Sequence, residues 1–227
     1  MAVDAVIFDW GGTLSPWHTI DLAEMWTSVC APLFPAADAA AVSAALYAAE
    51  RQLWRRAEQA HRSATMDAVF ELAGVAATAD LLASYLRAWE PHTHTDPDVP
   101  ELLRHLRGSG IRIGVLSNTM WPRQWHDDVF RRDGVLDLID GAVYTSEIDW
   151  TKPHPEAFRA AMTAIGVADP ARCVFVGDRP FDDVHGAQQA GLRAVLVPNS
   201  DVPQFASAVP DAVISKLTDL RPLVASW

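Results

Sequence analysis

Cysteine is nearly missing from this chain: Cys30 and Cys173 are the only two, far apart and without CxxC spacing. That excludes a disulfide framework and a cysteine-built metal site, and predicts two reduced thiols in a cytoplasmic protein. Lysine is as scarce, with Lys152 and Lys216 alone among 18 basic residues. Against them stand 29 aspartates and glutamates, a formal net charge of -11. A chain that neutralises a phosphodiester backbone concentrates positive charge on one face. Here the densest basic cluster, Arg51, Arg55, Arg56 and Arg62, is interleaved with Glu50 and Glu58. At helical spacing it reads as a solvated helix face, which argues against nucleic acid as a main partner. No apolar run approaches the ~18–20 residues that cross a bilayer, so no membrane span is expected. The opening Met1-Ala2-Val3-Asp4 has no basic segment ahead of an apolar one, so no secretory leader is expected.

What is there is globular in composition. Half of the 227 residues are hydrophobic, and nine tryptophans and eight phenylalanines are available to bury, which rules out a disordered chain. Ala5-Val6-Ile7-Phe8 is a short apolar run of strand type, stopped by Asp9-Trp10-Gly11-Gly12-Thr13. Similar runs recur at 111–116, 142–144, 173–176 and 194–197, with a shorter one at 212–214. Helical patterns lie between them at 101–107, 155–165 and 181–190, each meeting a glycine suited to a helix C-terminal turn. A closing helix begins near Lys216. Apolar strands alternating with amphipathic helices predict an α/β fold, a Rossmann-like parallel sheet with helices on both faces.

One stretch breaks the alternation. From 17 to 90 there is no strand pattern, only helix formers rich in Ala, Leu, Glu and Arg. Residues 37–62 read as one long helix or two, Thr65 and Thr78 as N-caps of two more, and Pro91 ends the set. The expected organisation is a core domain made of 1–16 and 92–227, with a helical domain, 17–91, inserted after the first strand.

In an open parallel sheet, ligands bind at the carboxyl ends of the strands, where the strand order reverses. Asp9 follows the first strand, with two glycines and Thr13 behind it. Ser117 and Asn118 follow the second strand, and Lys152-Pro153 lies beyond the third. Gly177-Asp178 and then Asp182-Asp183 follow the fourth. Carboxylates, a hydroxyl, one of the two lysines and several glycines are thus directed to one edge of the sheet.

These four segments resemble the haloacid dehalogenase-like (HAD) superfamily of aspartate-nucleophile hydrolases. The first motif of that family, Asp-x-Asp-Gly-Thr, is matched at Asp9, Gly12 and Thr13. Its second, a Ser or Thr closing a strand, is met by Leu116-Ser117-Asn118. Its third, a lysine before proline, is met by Lys152-Pro153 after Ser146-Glu147. Its fourth is met by Gly177, Asp178 and Asp183, then Gly186-Ala187. The resemblance covers the chain from Val3 to about Asp219, and the inserted helices look like the family's four-helix cap.

The resemblance implies a phosphatase of a small phosphorylated metabolite, acting through an aspartyl-phosphate on Asp9. A carboxylate is a competent nucleophile on phosphorus once the phosphoryl charge is neutralised and held in line. It implies Mg²⁺ as cofactor, a hard cation taking oxygens from Asp9, Asp178 and the main-chain carbonyl of Gly11. Lys152 would neutralise Asp9 and the phosphoryl group, and Asp183 would orient Lys152 or a metal-bound water. Ser117 and the amides around Gly11–Thr13 would donate to phosphoryl oxygens, which makes Gly12, Thr13 and Asn118 the candidate substrate-binding residues. A monomer or a homodimer fits equally well.

Gly11 is the departure. The family's phosphatases carry a second aspartate there, which protonates the leaving alcohol and then activates water. Losing such a catalyst typically costs ~10²–10⁴-fold. Three explanations are open: a leaving group that needs no proton, such as an acyl or aryl phosphate; another donor, with His18 the best placed; or a non-catalytic descendant that binds Mg²⁺ and phosphate. Relatives that cleave carbon–phosphorus bonds use a cap lysine, and the insert has none. A metal-independent dehalogenase-like hydrolase is the alternative reading, although the Asp178/Asp183 pair would then serve nothing. Trp10, Trp17, Trp121, Trp125 and Trp150 fall near strand ends, where together they could line an aromatic pocket or individually pack the core. His92 and His94 lack the further ligands of a transition-metal site and read as exposed linker.

Overall fold

The computed structural model describes residues 2–201 and 208–227; Met1, part of the opening segment read above, lies outside them. The chain begins with β1 (Ala5–Phe8) and then makes α1 (Leu22–Cys30), α2 (Ala36–Ala60), α3 (Met66–Ala73) and α4 (Ala79–Trp89). It continues through α5 (Val99–Gly108), β2 (Arg112–Ser117), α6 (Arg123–Arg132), β3 (Gly141–Tyr144), α7 (Pro155–Ala164) and β4 (Cys173–Gly177). A π-helical turn (Pro180–His185) runs into α8 (Gly186–Gln189), followed by β5 (Arg193–Leu196), β6 (Ala212–Val213) and α9 (Leu220–Ser226).

The six strands form a parallel sheet in the order β3-β2-β1-β4-β5-β6. All four residues of β1 are buried. Val6 and Phe8 pack on one side with Val99, Leu103 and Leu106 of α5. Ala5 and Ile7 pack on the other with Ala157, Phe158 and Ala161 of α7. A strand covered on both faces has no polar side to display, so its sequence is continuously apolar rather than alternating. The order reverses at β1, which lies between β2 and β4, so the loops leaving these three strands open onto one crevice.

The helices α1–α4 build a separate apolar cluster around Trp26, Val29, Leu46, Leu53, Phe70, Leu81 and Tyr85, joined by Met120 and Trp121 from the segment after β2. Their starts follow side-chain capping. Asp21 accepts from the amides of Ala23 and Glu24, Thr65 from Ala68, and Thr78 from Leu81. The stretch expected as one helix or two is the single helix α2, stopped at His61, which is left-handed at φ 52°. Arg51, Arg55, Arg56 and Glu58 are exposed as expected for a solvated face, but Glu50 is turned inward and buried.

Other departures have local causes. The helix expected to end at Gly108 runs through it, and the left-handed residue is Gly110 instead. The helix expected over 181–190 is a π turn followed by four α-helical residues. α6 had no expectation, because only His126, Val129 and Phe130 of its ten residues are buried and its apolar periodicity is weak. Both cysteines are buried and free. No described helix is long and apolar enough to cross a membrane.

Candidate active site

Asp9 leaves the C-terminal end of β1 with its amide bonded to the carbonyl of Val176, so its position is fixed by the sheet ladder. Lys152 Nζ donates to Asp9 Oδ1 at 2.7 Å and to Asp183 Oδ1 at 2.6 Å. All three side chains are buried, at 8% exposure or less. Asp183 is held from behind by the Arg179 amide, which donates to its Oδ2 at 2.9 Å. Lys152 is held by Asn118. Its side-chain oxygen accepts from the Lys152 amide at 2.8 Å and its NH₂ donates to the Lys152 carbonyl at 3.0 Å.

Asp178 follows β4, the strand adjacent to β1. Its Oδ1 accepts from the Thr13 hydroxyl at 3.3 Å. Its Oδ2 is buried and has no hydrogen-bond partner. Carboxylate oxygens of Asp9, Asp178 and Asp183 lie within 4.8 Å of one another. Burial, then Asp9 and Asp183, push the Asp178 carboxyl up to about 8. Asp183 is raised as well, chiefly by burial, with Lys152 opposing. Burial alone would lower the Lys152 ammonium, yet Asp183 and Asp9 hold it above the usual lysine range. Three buried carboxylates thus face one lysine, with the Arg179 guanidinium nearby, and the orphaned oxygen of Asp178 marks where further positive charge belongs.

Two close approaches explain the glycines here. Gly12 has φ +85°, and a Cβ on it would sit 2.5 Å from Asp178 Oδ2. A Cβ on Gly177 would sit 2.3 Å from Asp183 Oδ2. Gly11 differs, because a Cβ there meets nothing within 4 Å. A side chain can therefore start at position 11 without its Cβ meeting a neighbour.

With this constellation in place, comparison with known proteins is decisive at the level of family. Residues 3–191 match the haloacid dehalogenase-like hydrolases. The chain belongs to that family. It is 34% identical over 106 residues to a glyceraldehyde 3-phosphate phosphatase of Methanothermobacter thermautotrophicus, a match covering 47% of this chain and 45% of that protein. The chain spans about half the length of such curated relatives. The whole fold is shared with the HAD phosphatase of Thermococcus onnurineus, at TM-score 0.68 and 23% identity, covering 98% of both chains. It is shared as closely with the L-2-haloacid dehalogenase of Xanthobacter autotrophicus, at TM-score 0.66 and 21% identity, again covering 98% of both. These two structures establish the fold and leave phosphatase and dehalogenase equally represented.

Above the carboxylates this HAD-like hydrolase has a cavity of about 490 Å³, reaching from Asp9, Ser117 and Lys152 to residues of α2 and α4. The segments expected to supply the site do meet there: Asp9, Gly11, Gly12, Ser117, Asn118 and Lys152 all line it. Thr13 is turned to Asp178 and Asn118 to Lys152, so both side chains are committed to positioning. Of the five tryptophans near strand ends, Trp10, Trp17 and Trp121 line the cavity. Trp125 packs behind them against Trp121 and Tyr85, and Trp150 stacks on His154 at 3.8 Å, under Arg62. His18 lines the mouth edge-to-face with His92, which is a wall residue rather than plain linker.

Several wall residues carried no motif. Arg179 brings a guanidinium to the cavity floor, near Asp182 at 3.7 Å. Trp54, Tyr85 and Trp89 project from α2 and α4. Their spacing is that of ordinary core residues, and only the docking of the helices on the sheet gives them a ligand-facing role. Behind the wall, His126 is fully buried, stacked on Tyr144 at 4.1 Å and bonded to Thr119 at 3.2 Å. Burial, aided by Arg123, drives its pKa down to about 3, so it packs as a neutral ring.

Proposed function

We propose that this chain is a Mg²⁺-dependent phosphatase that forms an aspartyl-phosphate on Asp9. The observation that carries the reading is the orphaned, buried Oδ2 of Asp178 beside two further carboxylates and a single lysine. A dehalogenase needs no cation, and for it this arrangement is an uncompensated cost. The donor set is all oxygen and acidic, which suits a hard divalent ion. Asp9, Asp178 and the main-chain carbonyl of Gly11 would hold it. Bound there, the ion supplies charge neutralisation for the carboxylates and the phosphoryl oxygens.

This chain's own residues do the rest. Lys152 bonds to Asp9 Oδ1, which leaves Oδ2 as the oxygen to attack phosphorus. Asp183 fixes the lysine from the opposite side, and Asn118 fixes its backbone. Ser117 and the amides around Gly11, Gly12 and Thr13 would receive the phosphoryl oxygens. The helices of 17–91 act as a cap that closes over the site and limits water entry. Curated relatives named as phosphatases support this chemistry, and the substrate is a small phosphorylated molecule.

The test is turnover of p-nitrophenyl phosphate with and without chelator, beside halide release from 2-haloacids. Chelator-sensitive phosphate release is expected, and Asp9→Asn abolishes it while the circular dichroism and melting of the protein are retained. Halide release without metal supports the dehalogenase reading instead, and inactivity toward both supports a binding protein.

A further inference from the structure

Resting on the phosphatase reading of the same site, we infer that the substrate is an aryl phosphate, a phosphate monoester whose leaving group is an aromatic hydroxyl. Two independent features converge on it. The first is chemical. No side chain stands at position 11, where there is open space, so nothing at that position can protonate a departing oxygen. An alkoxide leaves poorly without a proton, whereas a phenolate spreads its charge into the ring and departs as the anion.

The second feature is the wall. Trp10, Trp17, Trp54, Tyr85, Trp89 and Trp121 line the cavity above Asp9. Trp10, Tyr85, Trp89 and Trp121 are braced on one another. The Trp121 indole donates to the Tyr85 hydroxyl at 3.0 Å, and Trp89 meets Trp121 edge-to-face at 5.7 Å. Trp10 lies 5.6 Å from Trp121. A rigid aromatic enclosure offers faces and edges to another ring at little entropic cost. A hydroxylated triose would lose its water shell against indole rings.

The reaction balances without an added donor. Asp9 Oδ2 bonds to phosphorus as the phosphorus–oxygen bond to the ring breaks, and the electron pair leaves on the phenolate, which takes its proton from solvent. Water then attacks phosphorus, the aspartyl carboxylate is released, and the water's protons end on hydrogen phosphate and in the balance of solvent.

Four substrates separate ring from leaving group: phenyl phosphate has both, benzyl phosphate only the ring, acetyl phosphate only the good leaving group, and glycerol phosphate neither. KM is expected about tenfold lower for the two ring-bearing esters. The kcat/KM for phenyl phosphate, which reports the step that expels the leaving group, is expected to exceed that for benzyl phosphate by about 10²-fold or more, the deficit of a missing acid. In Trp54→Ala and Trp89→Ala, the ratio of phenyl to acetyl phosphate kcat/KM falls by about tenfold. Equal KM across the series, or a kcat/KM for benzyl phosphate as high as for phenyl phosphate, overturns the inference while the phosphatase reading stands. No turnover of any of the four, nor of p-nitrophenyl phosphate, overturns both. The series on the unaltered protein decides the matter even where a tryptophan variant fails to fold.

Discussion

Lys152 sits between two buried carboxylates, and its removal leaves both without the cation bonded to them. Lys152→Met is therefore expected to destabilise the fold by about 3–5 kcal/mol, read from the shift in a denaturant melt. Adding Asp183→Asn to it restores part of that loss, whereas strictly additive losses would mean the pair is not coupled. Gly11→Asp tests the opposite case, a group added rather than lost. With open space around that Cβ, the aspartate fits, and hydrolysis of alkyl phosphates rises toward the ~10²–10⁴-fold that a general acid contributes. The ratio of alkyl to aryl ester rates in variant and parent is the measurement, and an unchanged ratio means that another residue already donates. At this scale the sequence was highly legible where chemistry is tied to strand ends. Asp9, Lys152, Asp178 and Asp183 meet because a parallel sheet brings its carboxyl ends together. It was silent where a role depends on which way a side chain turns. Nothing in the residue types tells that Thr13 would serve Asp178, that Asn118 would serve Lys152, or that Glu50 would face inward.

Elements were legible in proportion to how completely they are buried or capped. β1 was readable to its ends because both faces are covered, and α3 and α4 because threonines cap them. α6 left no periodic signal because so little of it is buried, and the π turn because a single six-residue turn is too short for its altered period to register. Within the helical layer, α1 and α2 are tied by the Trp26 indole, which donates to Glu50 Oε2 at 2.7 Å. Trp54, one turn on, donates to the other oxygen at 3.4 Å. Burial raises the Glu50 carboxyl, with both indoles opposing. Trp26→Phe keeps most of the ring and removes the stronger of those donors, so it is expected to cost about 1–3 kcal/mol. The check is a denaturant melt followed at pH values on either side of the ordinary glutamate range. A loss that is larger at the higher pH, where Glu50 is asked to carry charge, is the expected pattern.

For the molecule as a whole, the acidic cluster links stability to pH and, under the proposed function, to metal. In chelator, folded Asp178 keeps a proton that an exposed aspartate, at 3.8, has already released. Because its folded pKa is raised, its contribution is fully present below that lower value and is lost as pH rises through about 8. Under the proposed function, a divalent cation would take the place of the proton. The Tm of the chelated protein is therefore expected to fall between about pH 5 and about pH 8, and the gap between the Mg²⁺-loaded and chelated Tm to widen over that range. Thermal melts across a pH series, with and without Mg²⁺, check this, and a gap independent of pH counts against the cluster as the binding site.

The strand order carries a consequence for how the chain is made. β1 is the central strand, yet its partners begin at Arg112 and Cys173, far downstream. During synthesis its apolar Ala5–Phe8 emerges ahead of both partners and stays without strand neighbours until the helices α1–α4 and then β2 have followed. Those helices have their own apolar cluster and contacts close in sequence, so they can pack while the sheet is still waiting. The strand that ends at Asp9 is translated ahead of both its neighbours and waits for the farther of them longest.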